Sequence, residues 1–525
     1  MKKNLIFIVI DALRYDRIGT HGYKYSLTPN LDKIITSGQT INNHFANGCP
    51  TQMSFPSILS STYCLDYGGY NLGINNRPST LAEFLNKKNY QTFGITTAHP
   101  SGSHFGYNRG FDYFENLLDL YQWFRQNLKV FIREALNDYK EKKISHEEML
   151  NYLLTHYQKV LLSTLEYIEE IRNYNLTNNK WNLIKLKKKV NKEIQILNKN
   201  PKIILEKFII YDYWYFLFLG DEKISKIRFL FHNLKENIRL KVNSVINLFP
   251  RRRIYNCNQV FDRFFEIKDK KKNNKKPFFF FLHIFDIHEA KNFVLKFSLF
   301  FIFDVIKLLI LRKFKFGGFI YDLAVMSVDR EIGKFVSKLK KQQMEKNSIL
   351  IITSDHGMVA GPPVRENFSK YDLSNYFYDE FIKVPFIIYP RINKKKNNNQ
   401  ISSHLDMGPT IIDLLNLEKN MLFKGSSIFE KKNWENNTII SETNGSGICN
   451  LKKKPFYICI RSMNLKVVYE IKNNIIKERD VFNMLDDPEE INNIVSINKN
   501  IQDRIFIKKI AEQRVKEIMS YEKYF

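Results

Sequence analysis

Asp11, Asp355 and His356 each stand just after an apolar run that reads as a buried strand, residues 4–10 for the first and 347–353 for the other two. In doubly wound sheets the ligand site lies beyond the carboxyl ends of the strands. Residues distant in sequence can therefore meet there. Two carboxylates and an imidazole form a donor set for one divalent cation. Taken singly, Asp11 reads equally as a helix cap and His356 as a loop histidine; their shared placement at strand ends favours a common site. A third apolar run, PFFFFLHIFD, leads into His283, Asp286 and His288.

Thr51 lies in the stretch Gly48-Cys49-Pro50-Thr51-Gln52-Met53-Ser54-Phe55-Pro56-Ser57. Proline is disfavoured deep in a helix, so a helix is expected to start near Ser54, with Thr51 just before it. A hydroxyl there faces free backbone N–H groups and the positive end of the dipole, which favour a bound oxyanion. A free threonine hydroxyl is a weak nucleophile, and coordination to a metal would make it an alkoxide. The other reading of Thr51 is a simple N-cap.

The elements that must position these residues alternate. After the strand at 4–10, Thr28-Pro29 is a helix start with Thr28 as N-cap, and the helix covers 30–37. Thr80-Leu81-Ala82-Glu83 has the spacing of a capping box and opens a helix to about Lys88. Residues 91–97 read as a strand. This order predicts an α/β fold, a doubly wound and mostly parallel sheet flanked by helices. Residues 115–275 are rich in Lys, Asn, Tyr and Phe and carry the basic clusters Lys185–Lys189, Arg251–Arg253 and Lys268–Lys276. They read as a helical insertion. The α/β pattern resumes at Pro277, with a helix at 321–340 and another at 408–416. A hairpin-like region at 455–481 and a helix from about 500 follow. The expected division is 1–114 and 276–425 for the α/β domain, 115–275 for the insertion, and 426–525 for a small α+β subdomain.

Lys and Arg number 81 against 54 Asp and Glu, a formal charge of +27, with 44% hydrophobic and 26% charged residues. That composition excludes a disordered chain, a collagen and a multi-span membrane protein. Five scattered cysteines exclude a disulfide scaffold. The charge suits an acidic glycan or an anionic lipid headgroup, or reflects the Lys, Asn and Ile usage of an AT-rich genome. Lysine runs without a nucleic-acid fold give no expectation of specific nucleic-acid binding. The opening MKKNLIFIVID has an apolar run too short for a signal peptide, so a cytoplasmic protein is expected. Residues 293–312 are apolar but broken by Lys296, Asp304 and Lys307. They suit a helix packed on its own domain, or one in peripheral contact with a membrane, better than a membrane span.

Six motifs, in order, resemble the sulfatase / alkaline phosphatase superfamily. They are Ile10-Asp11-Ala12-Leu13-Arg14-Tyr15-Asp16, Thr28-Pro29-Asn30-Leu31-Asp32, Arg109-Gly110-Phe111-Asp112, Ser354-Asp355-His356-Gly357, Asp406 with Pro409-Thr410, and Asp487-Pro488-Glu489-Glu490-Ile491-Asn492-Asn493. The resemblance implies one divalent metal ion (Mn, Zn, Mg or Ca) held by Asp11, Asp355 and His356, with the nucleophile as a further ligand. The family nucleophile stands nine residues before a Thr-Gly that ends its helix; Ser60-Ser61 holds that place here, which assigns Thr51. His288 resembles the substrate-contacting histidine, which donates to a non-bridging oxygen or protonates the leaving group. Asp286 and His404 are candidates for a second metal.

The chain also departs from the pattern. Many sulfatases convert a Cys or Ser within Cys/Ser-x-Pro-x-Arg to formylglycine; here Thr51 and Phe55 replace the nucleophile and the arginine, so no formylglycine is expected. The carboxylate that usually follows the first Asp is Ala12. The lysine some sulfatases place before their Arg-Val-Pro segment is replaced by Ser374. The expectation is a metal-dependent hydrolase or phosphotransferase acting through Thr51 on phosphate, or sulfate, esters of a glycan or lipid headgroup. The alternatives are a sulfuric ester hydrolase and a non-catalytic member of the fold that binds an anionic glycan.

Overall fold

Leu5–Ile10 of strand β1 (Asn4–Ile10) are wholly buried, as expected of a strand covered on both faces. The fold is that of a computed structural model, which describes residues 2–117, 135, 139, 142, 144–173, 183–201, 256–271, 276–290, 299–313, 317–360, 376–394, 400–419, 422–430, 437–445, 449–452, 454–497 and 500–521. After β1 come α1 (Pro29–Ser37), β2 (Gln39–Thr40), β3 (His44–Phe45), α2 (Thr51–Ser60), α3 (Leu81–Lys87), β4 (Gln91–Thr96) and β5 (Tyr113–Asn116). Then follow α4 (His146–Asn173), α5 (Leu183–Lys199), α6 (Cys257–Lys270), β6 (Phe278–Ile284), α7 (Leu299–Leu311), α8 (Phe319–Lys341) and β7 (Ser348–Thr353). Next are α9 (Asp379–Ile382), β8 (Phe386–Tyr389), β9 (Ser402–Ser403) and α10 (Met407–Leu414). Last are β10 (Ile439–Thr443), β11 (Phe456–Arg461), β12 (Leu465–Lys472), β13 (Ile475–Asn483) and α11 (Ile501–Ser520).

The main sheet has the order β2-β8-β7-β1-β6-β4-β5. Strands β7, β1, β6, β4 and β5 are parallel, and β8 runs antiparallel to both its neighbours. Alternation sends Leu5, Phe7, Val9, Phe279, Phe281, Ile349 and Ile351 to one face, where Phe55, Ile58 and Leu59 of α2 cover them. On β6, Phe264 of α6 packs against Phe280 with ring planes at 60°, and Phe335 of α8 packs against Phe264. The four-stranded antiparallel sheet β10-β11-β12-β13 shares its apolar cluster with α11.

Contacts divide the chain into two compact units, Met1–Leu117 with Tyr255–Phe525, and Leu118–Ile254. In the second, α4 and α5 pair, with Tyr157 donating to Glu193 at 2.6 Å. Arg251–Arg253, Ser374 and 293–298 lie outside the described residues. Among the described residues no helix is long and apolar enough to cross a membrane. Within α7, Leu308 is buried and Asp304 meets Arg330 at 2.5 Å, while Ile302, Phe303, Ile306 and Ile310 are exposed.

Two local expectations need correction. Helix α2 starts at Thr51, not near Ser54, and contains Pro56. Pro50 is the N-cap, and its carbonyl accepts the N–H groups of Met53 (2.8 Å) and Ser54 (3.4 Å), so the first turn closes before Pro56 is reached. The missing proline N–H costs one bond at Gln52, in a helix buried at nine of its ten residues. Thr28 stands at the N-cap of α1, but its hydroxyl accepts the Gly19 N–H at 2.9 Å instead. Asp329 of α8 caps α1 by accepting the N–H groups of Asn30 (3.1 Å) and Leu31 (2.8 Å).

Candidate active site

The parallel register brings the carboxyl ends of β1, β6 and β7 side by side. Val9 pairs with both His283 and Thr353. Asp11 follows β1, and Asp355-His356 follow β7. Helix α2 presents its first residue, Thr51, to the same point. Thr51 Oγ1 lies 3.1 Å from Asp11 Oδ2 and 3.2 Å from His356 Nε2. Its hydroxyl faces the carboxylate and the imidazole.

Backbone donors fix these side chains. Asp355 Oδ1 accepts the N–H groups of Ala12 (3.1 Å) and His356 (2.8 Å). Ser354 Oγ accepts the Leu13 N–H at 2.9 Å and donates to the Ile10 carbonyl at 2.7 Å, tying the loops after β7 and β1 together. Ala12 takes a left-handed φ of 62°, which turns the chain away from the site directly after Asp11. His356 Nδ1 lies 2.6 Å from the Gly357 carbonyl, which only accepts, so Nδ1 carries the proton and Nε2 faces Thr51.

Several buried polar atoms are left without a partner: Asp11 Oδ1, Asp355 Oδ2 and His283 Nε2. Donor atoms of Asp11, His283 and Asp355 lie within 4.8 Å of one another, the one such gathering among the described residues. Other separations are 3.4 Å for His283 Nε2 to Asp11 Oδ2, 3.5 Å for His356 Nε2 to Asp355 Oδ2, and 3.8 Å for His356 Nε2 to Asp11 Oδ1. Neighbouring donors on one ion bound at roughly 2.1 Å stand roughly 3.0–3.4 Å apart. Two buried, partly unpaired carboxylates ringed by imidazoles thus fit a divalent cation.

The charges agree with that fit. Burial raises Asp11, but His288, His283 and His356 outweigh it and hold the carboxyl down at about 2. Burial and then Asp11 push Asp355 up, as expected of two carboxylates sharing one site. Burial lowers His356, but Asp355, Cys49 and Asp11 together hold it well above the ordinary histidine value.

The other expected residues sit around this centre. His288 stacks on Phe285 with ring centroids 4.4 Å apart and lies 6.3 Å from the His356 ring. Its side chain is 36% exposed, which puts it at the rim. Burial lowers its pKa, but Asp11 and Glu289 raise it further, for a net rise. Asp286 Oδ1 accepts the Cys257 N–H at 3.0 Å, at the start of α6. His404 Nε2 meets the Ser354 carbonyl at 2.9 Å, and burial drops its pKa to about 3. Neither belongs to the Asp11–His283–Asp355 group. Ser54 Oγ donates to the Thr51 carbonyl and Ser57 Oγ to that of Thr62.

His283 was absent from the expected ligands. It lies inside β6, wholly buried, with its ring 4.6 Å from that of Phe55. The signal was period two. Phe279, Phe281 and His283 alternate onto the face that α2 covers, the helix that carries Thr51.

A mostly parallel α/β sheet that gathers a buried threonine, two carboxylates and two imidazoles beyond its strand ends fits the sulfatase and alkaline-phosphatase-like class of folds. The chain belongs to the Sulfatase family, whose family model matches residues 3–164 and 231–417. It is 26% identical over 190 residues to an N-acetylglucosamine-6-O-sulfatase of Bacteroides thetaiotaomicron, a match covering 33% of this chain and 31% of that protein. The chain thus spans about a third of that relative's length. A solved 2-O GAG sulfatase has a TM-score of 0.52 at 14% identity, over 99% of this chain and 93% of that one. The phosphonate monoester hydrolase of Agrobacterium radiobacter has a TM-score of 0.55 at 13% identity, over 98% and 96%.

Proposed function

We propose that this protein is a metal-dependent esterase or transferase for anionic phosphate esters, with Thr51 as nucleophile. The observation that carries this reading is the Thr51 hydroxyl, within 3.2 Å of both Asp11 and His356 at the first turn of a buried helix. Asp11, Thr51, Asp355 and His356 would hold one divalent cation. When bound, such an ion supplies Lewis acidity that favours the alkoxide form of a hydroxyl and offsets charge on the ester oxygens.

The protein's own groups do the rest. Asp11 Oδ2 orients the Thr51 hydroxyl at 3.1 Å, and the Oγ1 proton leaves to solvent water. Oγ1 attacks phosphorus in line, the bond to the leaving oxygen breaks, and His288 at the rim protonates that oxygen. Water, or an acceptor hydroxyl, then attacks the phosphothreonine and frees Thr51. The substrate class would be a phosphorylated or sulfated glycan or a lipid headgroup, in keeping with the protein's +27 charge and with the amino-sugar named in its Bacteroides relative.

A second reading, sulfuric ester hydrolysis, is supported by the sulfatase relatives. Against it, threonine oxidation would give a ketone, not the aldehyde of formylglycine. Nitrophenyl sulfate and nitrophenyl phosphate mono- and diesters, offered to chelated and Mn-, Zn-, Mg- or Ca-loaded protein, separate the two. Phosphoester turnover that needs metal is the expected result. Turnover of the sulfate alone would replace the first reading by the second.

A further inference from the structure

We propose that His283 is a fifth ligand of the cation, held in the ligating tautomer by the hydroxyls of Ser101 and Thr96. The inference rests on the metal site proposed above. His283 Nδ1 lies 2.8 Å from Ser101 Oγ and 3.1 Å from Thr96 Oγ1. The two hydroxyls are 2.6 Å apart, and both reach the Ala98 carbonyl, at 3.0 Å for Ser101 and 3.3 Å for Thr96.

Each hydroxyl has one proton to give. If one serves the Ala98 carbonyl and the other serves its neighbouring hydroxyl, both protons are spent. The contact to His283 then needs the imidazole's own proton, so Nδ1–H is the donor. In the neutral imidazole Nε2 is then left as a lone pair. It points at Asp11 Oδ2, 3.4 Å away, in a wholly buried site where it has no hydrogen-bond partner. Two lone pairs facing each other in a dry interior repel unless a cation lies between them. A ligating imidazole whose other nitrogen donates to a fixed acceptor is the usual arrangement in metal sites. Ring rotation is blocked as well, because Phe55 packs edge-on against the imidazole with ring planes at 65°.

The consequence is selectivity. With His283 and His356 both ligating, the set holds two imidazoles beside two carboxylates. Imidazole favours zinc and similar transition ions over the all-oxygen preference of calcium and magnesium.

The test uses the full-length protein loaded with one equivalent of Cu2+ for pulsed EPR, and Zn2+ and Ca2+ for calorimetric titration. Two coupled imidazoles are expected in the wild type, and one each in His283→Gln and His356→Gln. The double variant Ser101→Ala/Thr96→Val keeps the ring but removes its orienting acceptors, and is expected to weaken Zn2+ binding about 10- to 100-fold. A melting curve of each metal-free variant establishes that it is folded. A single imidazole in the wild type, lost only in His356→Gln, would overturn the inference and leave the metal site standing. Unchanged Zn2+ affinity in both Asp355→Asn and His356→Gln would instead remove the metal site itself.

Discussion

Removing the Thr51 hydroxyl should abolish turnover while leaving the fold intact. The magnitude follows from the site. Oγ1 belongs to a residue that is 4% exposed, on the first turn of a helix with eight of its next nine residues held in the core. A nucleophile fixed in this way acts at an effective molarity of about 10^5 to 10^8 M, whereas the water that must replace it is about 55 M. Thr51→Ala is therefore expected to slow the chemical step by roughly 10^3- to 10^6-fold. Thr51→Ser keeps the oxygen and loses only a methyl group, so it should retain most of the rate. No serine on the same helix can take over, because Ser54, Ser57 and Ser60 all donate to backbone carbonyls. The assay is single-turnover release of nitrophenol from the best ester, with mass spectrometry of acid-quenched protein for a modified peptide containing residue 51. Turnover in Thr51→Ala within tenfold of the wild type, or a modified peptide elsewhere, would refute the reasoning.

Two further predictions concern the frame that holds the site. Burial raises the Asp329 carboxyl from 3.8 to about 6, although the Asn30 and Leu31 donors oppose the rise. An acid with a raised native pKa binds its proton more tightly when folded. Its contribution to stability is full below about pH 4 and is lost as the pH climbs toward 6, by at most about 3 kcal/mol. Asp329→Asn should remove that part of the slope in a urea titration from pH 4 to 7, and an unchanged slope would reject the assignment. Arg514, 1% exposed, meets Asp66 at 2.7 Å and Glu442 at 3.0 Å. Arg514→Met strands Glu442 Oε2 while Lys424 still pairs with Asp66 at 2.8 Å, so a loss of about 3–5 kcal/mol is expected in urea unfolding. A loss below about 1 kcal/mol would mean the pair is solvated or replaced.

The central strands were legible because each is a long apolar run ending in a residue that chemistry needs. Asn4–Ile10, Phe278–Ile284 and Ser348–Thr353 match the expected strands to within a residue or so. The start of α2 was misread because proline propensity is a local rule and the burial of α2 is a tertiary effect. Strand β10 was missed, since its pairing with β11 is visible only once the chain has folded. The motifs that announced the family divide by task. Only Asp11, Asp355 and His356 reach the site. Arg109 Nη2 donates to both carboxylate oxygens of Glu83, at 3.0 and 3.1 Å, and Asp112 accepts the Thr92 N–H at 2.9 Å. Asp406 accepts the N–H groups of Ser403 and Ser426, each at 2.9 Å. Glu490 accepts the Asp379 N–H at 2.7 Å and pairs with the buried Lys466 at 2.5 Å. These residues stitch loops, and their spacing is readable because each spans a turn of fixed geometry.

The departures from the family pattern make sense as a pair. Ala12 removes a carboxylate from the metal side, and Phe55 removes a guanidinium from the helix side. One negative and one positive charge are lost together at these two positions. What remains is Asp11 and Asp355, two negative charges, which a divalent cation balances to zero. The imidazoles of His283 and His356 add donors beside them. Phe55 also takes over a structural task, since its ring seats against His283 at 4.6 Å and against Tyr107 at 5.4 Å. An arginine at that position would bring a fixed positive charge toward His283 Nε2 and compete with a cation for Asp11. Restoring the family's arginine alone, as Phe55→Arg, should lower metal affinity, not restore sulfatase chemistry.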